Sequence, residues 1–258
     1  MRIVVKIGTS TLTHKSGELN IRRTEELCRI LSDIKNSGEE IIIVTSGAIG
    51  MGTAKLSLPC KPQDISTKQA AASVGQCELM YRYDKLFAEY HHTVAQILLT
   101  GDDFQHADRH QNFINTISKL LELKAIPIIN ENDTIATQEI KVGDNDTLSA
   151  LVSVSVSADL LVLLSDIDGL YTADPHKDPN AKLIAEVREI NDDILSRAGD
   201  SSSSLGTGGM RTKLSAAEIC MKGGCDMIIA NGADPKILYD IVGGNDAVCT
   251  HFYSRKGE

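Results

Sequence analysis

Three uninterrupted apolar runs limit this chain's fold most strongly: Ile41-Ile42-Ile43-Val44, Ala125-Ile126-Pro127-Ile128-Ile129 and Leu160-Leu161-Val162-Leu163-Leu164. A strand with one wet face alternates apolar and polar residues, whereas one that is apolar throughout is covered on both sides. Segments of helical spacing lie between the runs. Asn20 caps a helix with Leu27, Ile30, Leu31 and Ile34 on one face, and Gly38 ends it. Ser66-x-x-Gln69 resembles a capping box opening a long helix to about Tyr90. Phe113, Ile114, Ile117, Leu120 and Leu121 share the face of another. Ile3-Val4-Val5, Val94 to Leu99 and Met227-Ile228-Ile229 read as further strands. Thr212 to Met221 and Pro235 to Val242 read as helices. Asp146 to Ser157 reads as a helix by position, or as a strand by the alternation of Val152, Val154 and Val156. Strands alternating with helices predict an α/β fold: a mostly parallel sheet with helices on both faces.

Composition narrows the class. Aromatic residues make up 4% of the chain and Trp is absent, so the core must be built from Ile, Leu, Val and Ala. A length of 258 residues suits a single α/β domain over residues 1–258. The formal net charge of −9 argues against nucleic-acid binding, which usually shows a basic patch. A few placed lysines and helix N-termini still suffice to bind an anionic ligand. The cysteines form no CxxC pair and are expected to be free buried thiols in a reducing cytosol. The opening MRIVVKIG is too short and too interrupted by lysine for a signal peptide. No apolar run approaches the roughly 20 residues needed to span a bilayer. A cytoplasmic protein with no membrane partner is the expectation.

Ligands of open parallel sheets bind beyond the carboxyl ends of the strands, so the strand-to-helix junctions are where chemistry is expected. Lys6-Ile7-Gly8-Thr9-Ser10 follows the first strand. A lysine there is costly unless its ammonium reaches water or an anion, and Gly8 would let backbone approach a phosphate; an edge-strand lysine is the plainer reading. Thr45-Ser46-Gly47-Ala48 offers backbone N–H groups at a helix start, or is a tight turn. Asn130-Glu131-Asn132-Asp133 is either a polar loop or a holder for both charged ends of an amino acid. Gly143-Asp144-Asn145-Asp146 suits a helix cap, yet two acids and an amide exceed what a cap requires. A carboxylate here could hold two lysines by charge-assisted hydrogen bonds. Ser165-Asp166-Ile167-Asp168-Gly169-Leu170-Tyr171 ends the most apolar strand. Downstream, Gly206-Thr207-Gly208-Gly209-Met210-Arg211-Thr212-Lys213 sets a Gly-rich turn before a helix with lysine in its first turn, a phosphate cradle. The Ser- and Gly-rich stretch Arg197 to Gly209 reads either as a loop without function or as a mobile lid.

Other chemistries find little support. The chain contains no GxxxxGK[ST], no GxGxxG after the first strand, no GxSxG and no HExxH. Lysines, glycines and carboxylates at strand ends remain, and that inventory suits phosphoryl transfer.

Taken in order, Lys6-Ile7-Gly8-Thr9-Ser10, Thr45-Ser46-Gly47-Ala48-Ile49, Asn130-Glu131-Asn132-Asp133, Gly143-Asp144-Asn145-Asp146, Asp168-Gly169-Leu170-Tyr171-Thr172-Ala173-Asp174-Pro175 and the Gly206 to Lys213 segment resemble the amino-acid kinase family, and within it the branch acting on free glutamate. The resemblance runs from residue 1 to about residue 252. It implies a three-layer αβα sandwich around a largely parallel sheet of about eight strands. It implies transfer of a phosphoryl group from ATP, with Mg²⁺, to the side-chain carboxylate of L-glutamate, opening proline synthesis. By carry-over, Ser46, Asp133 and Asn145 bind glutamate, with Asp144 nearby. Lys6 and Lys213 contact the phosphates, and Asp146 organises the two lysines. Gly8, Ser165, Asp166, Thr207, Gly208, Gly209, Met210, Arg211, Thr212 and Lys213 serve ATP binding; no metal ligand is assigned. Proline as feedback inhibitor, acting through Thr53 to Thr67, and a homo-oligomer, dimer or tetramer, are implied as well. Many family members carry a further RNA-binding-like domain, expected to be absent here because the sequence stops at Glu258. The rivals are a sister kinase acting on acetylglutamate, aspartate, carbamate or UMP, and a non-catalytic sensor of proline or glutamate. The Asn-Glu-Asn-Asp and Gly-Asp-Asn-Asp segments favour free glutamate, and intact Lys6, Lys213 and Asp146 argue against a sensor.

Overall fold

The computed structural model describes residues 1–14, 18–136, 144–175, 177–197 and 209–254. Gly143, Thr207, Gly208, most of the Ser-rich stretch and Glu258 lie outside the described residues. Strand β1 (Arg2–Ile7) leads through the short α1 (Thr9–Leu12) to α2 (Ile21–Asn36). Next come β2 (Glu40–Val44), α3 (Ala48–Lys55), α4 (Ile65–Ala88) and β3 (Val94–Leu99). Helices α5 (Gly101–Gln105) and α6 (Ala107–Glu122) precede β4 (Ile126–Glu131), α7 (Asn145–Ser155) and β5 (Leu160–Ser165). The chain continues with β6 (Glu186–Val187), α8 (Asp192–Arg197), α9 (Met210–Lys222), β7 (Asp226–Asn231), α10 (Ile237–Gly243) and β8 (Cys249–Phe252).

The strands form one 8-stranded sheet in the order β3-β4-β2-β1-β5-β7-β8-β6. All pairings from β3 across to β7 are parallel; β8 is antiparallel to β7, and β6 runs with β8. The expected largely parallel sheet is present. Successive strand side chains point to opposite faces, and two cores follow. Val4, Ile42, Val44, Ile129, Leu161 and Leu163 pack with residues of α6, α7 and α9. Ile3, Val5, Ile7, Ile41, Ile43 and Val162 pack on the other face with residues of α2, α4 and α10. That double covering is why the central strands carry no polar alternation.

Several local readings are corrected. Asp64, not Ser66, caps α4: its side chain accepts from the Thr67 N–H at 2.8 Å, and the Ser66 hydroxyl donates to the same carboxylate at 2.8 Å. The Asp146 to Ser157 ambiguity resolves as a helix, because Asp144 supplies a cap to the Thr147 N–H at 2.8 Å. Helix α3 escapes hydrophobic periodicity because it buries only Ala48, Met51 and Gly52, with no apolar stripe. The six cysteines are unpaired as expected, but Cys60 and Cys77 are exposed.

Five helix-to-strand returns share one device at the amino ends of β2, β3, β4, β5 and β7. Each contains a left-handed residue: Gly38 (φ 111), His91 (φ 61), Lys124 (φ 59), Ser157 (φ 52) and Gly224 (φ 79). In four of them the next N–H closes on the carbonyl five residues back: His92 to Phe87 at 3.1 Å, Ala125 to Leu120 at 2.9 Å, Ala158 to Ser153 at 2.8 Å and Cys225 to Cys220 at 3.0 Å. This satisfies carbonyls that the helix end would otherwise leave open.

Helices α3 and α4 cross in close contact. A Cβ on Gly75 would stand 1.7 Å from the Ala48 carbonyl oxygen, and one on Gly52 would stand 1.8 Å from that of Ala71. Gly75→Ala is therefore expected to force the helices apart and destabilise the protein by about 3 kcal/mol. A urea-unfolding midpoint unchanged from the parent would contradict this. Because α3 begins directly after Ser46 and Gly47, the same substitution displaces that loop.

Candidate active site

β1 lies inside the sheet, between β2 and β5, and Lys6 sits one residue from its carboxyl end. Helices α7 and α9 both contribute to the core on one face and present their N-termini at this rim. Asp146 falls in the first turn of α7, and Lys213 in the first turn of α9. The three side chains meet. Lys6 Nζ lies 2.7 Å from Asp146 Oδ1, and Lys213 Nζ lies 3.1 Å from Oδ2. The Thr212 hydroxyl lies 3.0 Å from the same Oδ2 and 2.8 Å from the Gly209 carbonyl oxygen.

Asp146 is 2% exposed and Lys213 7%. Burial pushes the Asp146 carboxyl up, but the charges of Lys6 and Lys213 and their hydrogen bonds outweigh it and hold the group well below the usual carboxylate range. Two ammonium groups share one carboxylate, so the cluster keeps a positive charge at the mouth of two helix N-termini, where an anion is favoured. Gly8 belongs to this cluster by space: a Cβ there would meet the Leu164 carbonyl oxygen at 3.3 Å and Lys6 Nζ at 3.7 Å.

Asn145, one residue before Asp146, serves a second cluster. Its Nδ2 lies 2.6 Å from the Thr45 carbonyl oxygen, 2.9 Å from Ser46 Oγ and 2.9 Å from Asn130 Oδ1. One helix start thus holds the lysines with one residue and the ends of β2 and β4 with its neighbour. Gly47, which N-caps α3 at φ 99, is where the chain after Ser46 turns into the left-handed region that glycine tolerates. Asp133 is half-buried in the turn after β4, whose Thr134 hydroxyl lies 3.3 Å from that of Ser73 on α4. Asp144 lies beside the site with its carboxylate engaged as the α7 cap, 2.8 Å from the Thr147 N–H and 3.1 Å from its hydroxyl. Burial, with a further push from Asp146, raises its pKa against the capping bonds from Thr147. The segment is thus both things its composition suggested, a cap at Asp144 and a lysine holder at Asp146.

At the end of β5 the Ser165 hydroxyl donates to Asp166 at 3.2 Å, and its carbonyl accepts from the Gly232 N–H at 2.7 Å. Ser165 is buried and Asp166 exposed. Asp168 accepts from the Tyr171 hydroxyl and from Asn231 Nδ2, both at 2.8 Å, tying the ends of β5 and β7 together. Gly209 stands as the N-cap of α9 without a capping side chain; Met210 is half-buried, Arg211 is exposed, and the first amides of α9 face the rim beside Lys213.

A sequence profile described as the amino acid kinase family matches residues 1–231. The chain belongs to the amino acid kinase family. It is 52% identical to a glutamate 5-kinase of Clostridium perfringens over 261 aligned positions, covering 100% of this chain and 97% of the relative. It is 49% identical to a glutamate 5-kinase of Listeria innocua, covering 100% and 94%. A glutamate 5-kinase of Carboxydothermus hydrogenoformans is 52% identical over 99% of this chain and 68% of its own length. Among solved structures, a UMP kinase from Ureaplasma parvum aligns at a TM-score of 0.67 with 15% identity over 98% of each chain. A carbamate kinase from Giardia lamblia bound to AMP-PNP gives the same TM-score, identity and coverage, and these likenesses speak to the fold.

In this amino acid kinase the expected lysines and Asp146 come together, as do Ser46 and Asn145. Ser165, Asp166 and Gly209 to Thr212 are found along the neighbouring part of the same rim. Three residues of the hydrogen-bond network carried no assigned role: Asn130, Gln76, whose Oε1 accepts from Asn130 Nδ2 at 2.9 Å, and Tyr83, whose hydroxyl lies 2.9 Å from Thr45 Oγ1. Asn130 stood inside a recognised polar segment. Gln76 and Tyr83 come from the interior of α4, where no motif or spacing marks them.

Proposed function

We propose that the chain transfers the γ-phosphoryl group of ATP to the side-chain carboxylate of L-glutamate, giving L-glutamyl 5-phosphate and ADP, the first step of proline biosynthesis. One observation carries the mechanism: a cationic cluster of Lys6, Asp146 and Lys213 abuts a polar cluster of Asn145, Asn130 and Ser46, the two joined by neighbouring residues of one helix start, Asp146 and Asn145. Glutamate would lie over the amides and the phosphates over the lysines. The two hydrogens of the Asn145 amino group are shared among three nearby oxygens, so its oxygen is the end suited to accept from the α-ammonium. Asp133 supplies a carboxylate for the same charge.

A carboxylate of pKa about 4.3 is already ionised at neutral pH, so no general base is required. A glutamate oxygen attacks Pγ, the new O–P bond forms, and the bond from Pγ to the bridging oxygen breaks with its electrons leaving on ADP. The obstacle is repulsion between two anions. Lys6 and Lys213 offset it, and Asp146 holds them where charge collects on the transferred group. Among the described residues no group of three or more His, Cys, Asp or Glu side chains is placed to hold a metal. Mg²⁺ usually keeps several waters and binds through substrate phosphates with one or two carboxylates. Mg²⁺ would supply further neutralisation of phosphate charge.

Glutamate-dependent ADP release, with the product trapped by hydroxylamine as hydroxamate, tests the reaction. Release with acetylglutamate or aspartate but not glutamate would overturn the substrate, and none with any carboxylate would favour a sensor. Asn145→Ala is expected to raise KM for glutamate about 30-fold with KM for ATP nearly unchanged, since a hydrogen bond to a charged group contributes about 2 kcal/mol. Equal changes in both constants would remove Asn145 from the glutamate site. The reading also includes a homo-oligomer, dimer or tetramer, in the cytoplasm, with proline acting through Thr53 to Thr67. That segment joins the end of α3 to the first turn of α4. Glutamate affinity unaffected by proline would exclude the inhibitor role.

A further inference from the structure

We propose that Gln76, on α4, is a positioning residue for the glutamate site that sets the orientation of Asn145 through Asn130; this rests on Asn145 being a glutamate ligand. Gln76 is 8% exposed. Its Oε1 accepts from Asn130 Nδ2 at 2.9 Å. Asn130 Oδ1 accepts from the Glu131 backbone N–H and from Asn145 Nδ2, both at 2.9 Å. A backbone N–H can only donate, so the oxygen end of Asn130 is turned to it. The amino end of Asn130 must then face Gln76, and Gln76 must answer with its oxygen. The relay has one polarity from α4 to the substrate-facing amide.

A second observation points the same way. Gln76 Nε2 is buried and makes no hydrogen bond among the described residues. A buried unpaired donor is destabilising, and it offsets what the bond from Asn130 contributes to the fold. Stability is therefore a poor reason for glutamine at this position; what it contributes is the oxygen offered to Asn130. Gly75, its neighbour, lets α4 approach α3 closely. Two turns further along α4, the buried Tyr83 hydroxyl lies 2.9 Å from Thr45 Oγ1, and the Thr45 carbonyl holds Asn145. Both arms of the support converge on the Asn145 amide.

The size-matched Gln76→Met variant tests this in the coupled ADP assay. It exchanges one unpaired donor, Gln76 Nε2, for another, Asn130 Nδ2. Its melting temperature is therefore expected to stay within about 3 °C of the parent, while KM for glutamate rises about tenfold and KM for ATP moves less than about twofold. Added to Asn130→Ala, it should bring no further loss, because both act along one relay. Parental KM for glutamate overturns the proposal, as do equal rises in both KM values or independent losses in the double variant. If Gln76→Met does not fold, Asn130→Ala decides alone, and an unchanged KM for glutamate there is equally fatal. Asn145→Ala in the same assay separates the layers. Loss in Asn145→Ala without loss in Gln76→Met removes only the role of Gln76, whereas a parental Asn145→Ala removes the ligand reading and the proposal with it.

Discussion

Lys213→Ala is expected to lower kcat by at least about 10²-fold, because removing one preorganised donor to developing charge costs about 3–4 kcal/mol. The present geometry sharpens the expectation. Lys213 is nearly buried and held 3.1 Å from Asp146, so its ammonium is placed before substrate arrives and little reorganisation is left to the reaction. Alanine leaves Asp146 paired with Lys6 at 2.7 Å, so the fold should tolerate the change, with a melting temperature close to the parent's. The neutralised pair would then carry no surplus positive charge for the phosphates. Steady-state kinetics with saturating glutamate and ATP check this, and a variant of normal turnover would take Lys213 out of the reaction.

Asp146→Asn should be worse in a different way. It leaves two ammonium groups facing one another beside a neutral amide. Removing one partner of a buried ion pair costs about 3–5 kcal/mol, because the remaining charge stays buried without compensation. Stability should fall by an amount of that order, and kcat by at least about 10²-fold as both lysines lose their anchor. The surplus positive charge still attracts a nucleotide, so KM for ATP should not rise. That combination separates a positioning carboxylate from a nucleotide ligand. A rise in KM for ATP with kcat retained would reverse the assignment.

The same carboxylate gives the parent a pH signature. The two lysines hold Asp146 below its unfolded pKa of about 3.9, so its stabilisation is fully present above that value and disappears as pH falls through the depressed folded pKa. Asp146→Asn removes this contribution, and its stability should vary less with pH on the acid side. Urea unfolding at a series of acid pH values reads the difference.

The parts of this architecture that were legible in the sequence share a physical cause. Ile41 to Val44 and Leu160 to Leu164 are apolar throughout because helices cover both faces of the sheet, and they announce themselves as central strands. Lys6 is visible because it interrupts such a strand, and Gly143 to Asp146 because its acids exceed what a cap needs. The less legible parts depend on neighbours distant in the chain. Ser66 and Asp64 are both good caps, and only the fold shows which one meets Thr67. Helix α3 carries no apolar stripe because it is held by backbone approach at Gly52 and Gly75, and a missing Cβ leaves no periodic trace. Gln76 and Tyr83 present polar groups to Asn130 and Thr45, which lie 54 and 38 residues away, and no local spacing encodes such pairs.

The left-handed returns at the amino ends of the parallel strands have a consequence for how such a protein can change. The proposed site residues gather at one rim of the sheet, while chain reversal is delegated to self-contained turns at the other. His91, Lys124 and Ser157 occupy a backbone region unfavourable for residues with a Cβ, so each spends some stability where no chemistry is done. Selection or an engineer can draw on that reserve, altering the thermal range of the enzyme from one edge while its specificity is rewritten from the other.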